Sequence, residues 1–251
     1  MSRTPTRTRT HIRTPEVATP SSAAPVDRSA QLFRLLHLAS PALPIGAFHF
    51  SQGLEYAVER GWVRDEATAL DWIGGIAGAS LATLDLPVLY RLHAAWTRSD
   101  HPAVQRWNAF LIACRETEEL RAEDRHLGSA MLRVLAELEL RTELFAMHPS
   151  KGGVSHAAAF SFACASWGID AHSAAQTFAW AWVENQVLAA VKLIPLGQSA
   201  GQRLLHALIT PLTAYSKRAA DILDADIGIS TALSAVASGR HETQYSRLFR
   251  S

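Results

Sequence analysis

Cysteine is nearly absent from this chain. Only Cys114 and Cys164 occur, far apart and each inside an apolar run. That excludes a disulfide-stapled scaffold and any Cys-x-x-Cys metal site, and a reducing cytoplasm fits. Charge of one sign is also lacking: the formal net charge is +1, so no overall field favours nucleic acid or an acidic membrane. No apolar run has the length of a membrane span. The best candidate, Leu70 to Ala82, is broken by Asp71 and by four glycines and serines. The first residues contain no hydrophobic signal-peptide core. Sustained alternation of β-branched residues is missing, and so is any hairpin dipeptide between strands, which excludes a β-architecture. Charged residues make up only 19% of the chain, a surface composition that suits a protein partly covered by partners.

What is present is helical periodicity. The 251 residues, 48% hydrophobic, suffice for one sizeable core. Residues 1–27 alternate Thr, Arg, Pro and Ser and bury too little to offset chain entropy; a disordered, dispensable extension is expected. Residues 28–238 read as one all-α domain of about ten helices, without internal repeats. Pro41 to Gly46 breaks the first helix, and a short one follows from Ser51 to Gly61. Asp65, Asp85 with Pro87, Asp100 with Pro102, and Asp170 mark helix starts. Leu120, Leu127, Met131, Val134, Leu135 and Leu138 define a strongly amphipathic helix. Its charged residues, Glu116 to Arg125, read as a solvated salt-bridge face, with a partner surface as the alternative. Pro149 to Gly153 reads as a loop, and Gln198 to Tyr215 as the last strongly periodic helix.

Catalytic constellations are not found. None of the eleven histidines pairs at i, i+4, and His241-Glu242 lacks the second histidine of a zinc motif. Gly197 to Arg203 has Gln-Arg where a phosphate loop needs Lys-Ser or Lys-Thr; its small residues suit close helix packing instead. Phe178, Trp180, Trp182 and Tyr215 read as core. No cofactor, metal ligand or catalytic residue is expected.

The densest chemistry lies in residues 239–251, where a chain end is normally bland. Arg240, His241, Glu242, Tyr245, Arg247, Leu248, Phe249 and Arg250 are the residue types that carry binding energy at interfaces. The segment is expected to be loosely held when free and ordered by a partner. Phe48 and Phe50, stiffened by two prolines, form a second candidate contact, with core packing as the equal alternative.

These residues resemble the urease accessory protein UreF family. Arg240 to Ser251 is similar to its closing signature, and three blocks match in order: Leu38 to Phe48 with Ser51 to Glu55, Thr117 to Gly128, and Glu184 to Arg203. The resemblance covers about residues 32–251. It implies an all-α homodimer without catalysis of its own. It further implies a cytoplasmic adaptor that bridges a UreD/UreH-type scaffold and the GTPase UreG on urease apoprotein, so that GTP hydrolysis drives nickel insertion. The competing expectations are a helical metal-dependent hydrolase using His241-Glu242 and the Glu118 to Asp124 carboxylates, or a nickel carrier.

Overall fold

The computed structural model describes residues 28–147, 152–228 and 231–251. The extension 1–27 and most of the loop expected at 149–153 lie outside the described residues. The elements are α1 (Arg28–Ala39), a 3-10 turn (Ala47–His49), α2 (Leu54–Glu59), α3 (Glu66–Ile76), a π segment (Ala77–Asp85), α4 (Leu86–Thr97) and α5 (His101–Ala113). Then come α6 (Glu118–Glu137), α7 (Glu143–Met147), α8 (His156–Ser166), α9 (Ala171–Leu193), α10 (Gln198–Ala219), a 3-10 turn (Asp224–Asp226) and α11 (Ala232–His241). No strand occurs among the described residues, so the all-α expectation holds.

The core is built around α8. Every residue from Ala157 to Cys164 is buried, as expected of a helix apolar on all sides. Its alanines let α4, α6 and α9 close on it, while Phe160 and Phe162 fill the gaps. On the far side α9 packs against α10 and α1. Gly201 on α10 sits so close to Val191 of α9 that a Cβ would be 3.0 Å from that side chain, matching the close-packing reading of this block. Gly128 of α6 lies under the backbone carbonyl of Val154, where any Cβ would collide; that contact brings α6 onto the start of α8.

Helix starts follow the capping chemistry. Asp65 caps α3 in a reciprocal box with Thr68, Asp100 accepts from Ala103 N, and Asp170 accepts from Ser173 N. Thr117 and Ser155 do the same for α6 and α8. Each such cap stabilises its helix by about 1 kcal/mol.

Three expectations are corrected. Asp85 starts no helix: α3, the π segment and α4 form one unbroken helix, Glu66–Thr97. Pro87 lacks the N–H that would bond Thr83 O, and Gly228 N supplies it from outside at 3.1 Å. Asp85 turns its side chain to Arg115 instead. By length and composition this 32-residue helix could cross a membrane, but 67% of its apolar stretch is buried inside the fold. The division at 238/239 falls within α11, whose Leu233 and Val236 stay exposed, so periodicity alone hid it. Nor is Glu116 to Arg125 one solvated face. Glu118 pairs at the surface with Arg121 and Arg125, but Glu123 and Asp124 are buried. Asp124 stands four residues after Leu120 and three before Leu127, hence on the apolar side.

Candidate partner-docking site

After α11 the chain folds back over α2 and the start of α6, and three carboxylates hold it there. Glu55 of α2 accepts the backbone N–H of Leu248 at 2.7 Å and of Phe249 at 2.9 Å, and lies 3.1 Å from His241 Nε2. Glu119 of α6 is 2.7 Å from His241 Nδ1 and takes Arg247 Nη1 at 2.6 Å. Glu123 accepts Ser251 Oγ at 2.7 Å. The fully buried His241 ring is thus clasped between carboxylates of two helices. Each of its ring nitrogens lies within hydrogen-bond distance of a carboxylate oxygen.

The grip is reciprocal. Glu242 accepts the backbone N–H groups of Glu118 and Glu119 at 2.9 and 3.3 Å, placing negative charge on the N-terminus of α6. Gly53, at φ +81°, brings α2 against α11: a Cβ there would stand 2.8 Å from Ser238 N. The loop before α2 joins in. Arg250 N donates to His49 O at 2.8 Å, and Ser251 O accepts from Ser51 N and Ser51 Oγ at 2.8 and 2.5 Å. Lys192 Nζ sits 5.7 Å from the Phe48 ring and 5.8 Å from the Phe249 ring, a cation between two aromatics.

The loose tail expected from sequence is therefore corrected. It is anchored through backbone donors, and a pattern of side chains does not reveal backbone bonding. His241, Phe249 and Phe50 face the interior and hold the segment rather than presenting it. Arg240, Glu242, Arg247 and Arg250 are exposed. Tyr245 and Leu248, at 106% and 67% exposure, form a crest with nothing over it, and Phe48 stays 47% exposed beside it. The two candidate surfaces are thus a single composite face. Ser51 and Glu55, on which it rests, entered the sequence reading only within a family-like block, and Glu119 and Glu123 only within a charged helix face and a competing carboxylate cluster; none was read as an anchor of the tail. Their signal was weak: acids at apolar-face positions of short or amphipathic helices.

Beneath this face lies a buried ionic group. Arg115, which follows α5, donates Nη2 to Asp85 at 2.5 Å and Nε to Asp124 at 2.9 Å. Burial alone would lower the guanidinium, but the two carboxylates override it and hold it charged well above its ordinary value. Asp124 also accepts His156 N at 2.7 Å, tying α8 to α6. Gln52 links Glu123 to Trp182 of α9, donating to the first and accepting Nε1 of the second. Burial pushes Glu123 up to about 7 and drives His156 down to about 4.

The two shifts act oppositely on stability. Between pH 4.5 and 7 the folded state holds a proton on Glu123 that the unfolded chain has released. Its contribution is full below pH 4.5 and lost as pH rises through 7. His156 contributes above pH 6.5 and loses that as pH falls through 4. Glu123→Gln removes the first alone. Relative to the parent, it should gain melting temperature between pH 5 and pH 8, by several degrees. An unchanged difference across that range would contradict this assignment.

No group of three His, Cys, Asp or Glu side chains able to hold a metal ion occurs among the described residues. His241 and Glu242 are engaged separately, one as a buried bridge and one as a helix cap.

A model of the UreF family matches residues 63–209. The urease accessory protein UreF of Alkalilimnicola ehrlichii is 48% identical over 219 residues, covering 87% of this chain and 95% of that protein. The protein of that name from Hahella chejuensis is 45% identical, over 88% of this chain and 98% of its own length. That from an Azoarcus species is 47% identical, over 92% of this chain and 100% of its own length.

Proposed function

The chain belongs to the UreF family of urease accessory proteins, and from that premise we propose that it is a non-catalytic adaptor in urease maturation. In this reading it works in the cytoplasm as a homodimer. It bridges a UreD/UreH-type scaffold and the UreG-type GTPase on urease apoprotein for GTP-dependent nickel insertion. The observation that carries it is the composite face: an exposed aromatic and apolar crest, Tyr245 with Leu248, on a backbone pinned by buried carboxylates. A pre-ordered crest loses less conformational entropy on binding than a free tail, and its arginines suit charge-assisted bonds at the rim.

Tyr245→Ala with Leu248→Asp tests the reading without disturbing the fold, because both side chains point to solvent. The melting temperature should stay within about 2 °C, since surface changes of this kind alter stability by roughly 0.5 kcal/mol or less. Affinity for the scaffold, measured on co-expressed and sized complexes, should fall at least about a hundredfold, the loss expected on removing an interface hot spot. A double variant that assembles normally with scaffold and GTPase would refute the adaptor face.

A further inference from the structure

A cavity of about 130 Å³ opens between the end of α1, the π segment, α6 and α9. It is well beyond the roughly 10–15 Å³ that one water requires. It shares Phe48, Gln52 and Glu123 with the composite face. Its walls combine Leu38, Leu81 and Leu127 with a set of carboxylates. Asp85 and Asp124 share the single positive charge of Arg115. Three others, the exposed Glu116 with Glu123 and Glu184, have no cation partner among the described residues. Glu123 accepts only the neutral donors Gln52 and Ser251. Glu184 of α9 is half-buried without a hydrogen bond or ion pair to any described residue, and burial alone raises it. His156, also in the wall, keeps its Nε2 buried and without a hydrogen-bond partner among the described residues.

We infer that this cavity binds an organic cation with an apolar stem, of the alkylguanidinium class that an arginine side chain supplies. Glu184 and Glu123 would receive its N–H donors, and His156 Nε2 one more. The ring of Trp182 in the wall offers a cation–π contact, and the leucines cover the stem. A planar fork of donors suits carboxylates spread around a cavity better than a point charge. A divalent metal suits it poorly: no three ligating side chains converge among the described residues, and much of the wall is apolar. The guanidinium could come from another molecule. It could also come from Arg3, Arg7, Arg9 or Arg13 of this chain.

Isothermal titration of the full chain with Nα-acetyl-arginine methylamide, and separately with Zn²⁺, tests this. Saturable one-site binding of the arginine probe is expected, weakened at least tenfold in Glu184→Gln. That variant should fold, since it removes a carboxylate that has no partner. Ser80→Leu, which narrows the cavity from the π segment, should weaken the probe likewise. Arg3, Arg7, Arg9 and Arg13 all changed to Gln distinguishes the sources. Tighter probe binding then means that the chain's own arginines compete for the site, and unchanged binding means that the guanidinium arrives on another molecule. No saturable probe binding, equal affinity in Glu184→Gln, or a Zn²⁺ site that depends on Glu184 while the arginine probe fails to bind would overturn the inference.

Discussion

Glu55→Ala should release residues 242–251 while the helical body stays folded. The carboxylate accepts two tail backbone N–H groups and faces His241, three contacts in one buried place. Hydrogen bonds to a charged group are worth about 1.5–3 kcal/mol each. They are not additive, but losing the shared acceptor should shift the tail toward the open state by about 3–5 kcal/mol. The N–H groups then find water only by leaving. Trypsin cleavage after Arg247 and Arg250, followed by mass spectrometry, should accelerate at least about a hundredfold, because cleavage of an opened segment tracks its population. Scaffold affinity should fall in parallel if the crest is the docking face. Glu118→Ala is the control: its pairs with Arg121 and Arg125 are largely exposed, and such pairs contribute about 0.2–1 kcal/mol. A Glu55→Ala protein with parental tail protection would show that the remaining contacts, through Glu119, Glu123, Ser51, His49 and the buried Phe249, suffice to fix the segment.

The second large effect is expected at Arg115. Arg115→Met keeps much of the length of the side chain and removes the charge, leaving Asp85 and Asp124 buried without a cation. Breaking a buried pair in this way costs about 3–5 kcal/mol. The midpoint of urea unfolding should drop accordingly, with an unchanged slope. Adding Asp85→Asn and Asp124→Asn should restore at least half of the loss, because the cost lies in the stranded charges rather than in missing packing. The amide oxygen introduced by Asp124→Asn can still accept His156 N, which keeps α8 in place. A triple variant as unstable as the single one would mean that Arg115 acts through packing instead.

The contrast between these two sites shows how far the chain could be read without coordinates. Amphipathic spacing placed α6, and capping aspartates placed the starts of α3, α5 and α9. Asp85 and Pro87 read as a break, yet the helix continues because the proline's lost hydrogen bond is replaced by Gly228, distant in sequence. The residues of the tail were visible as interface types, but their division into anchors and crest was not. Phe249 and Tyr245 are both aromatic and only four residues apart, yet one is 5% exposed and the other 106%. Phe48 and Phe50 divide in the same way. Side-chain chemistry says that a ring can bind; it does not say on which side of the backbone the acceptors lie.

What belonged to the sequence alone was the helical class, most of the caps, and the clustering of partner-type residues near Ser251. These depend on contacts within a few residues or on composition, so local pattern carries them. Tertiary structure alone decided that Glu55, Glu119 and Glu123, from two helices, close on one segment. It also decided that Asp85 and Asp124 share Arg115, and that a cavity opens beside carboxylates lacking a cation among the described residues. A buried charge is tolerable only where partners from distant parts of the chain meet it, and that meeting exists only once the chain has folded.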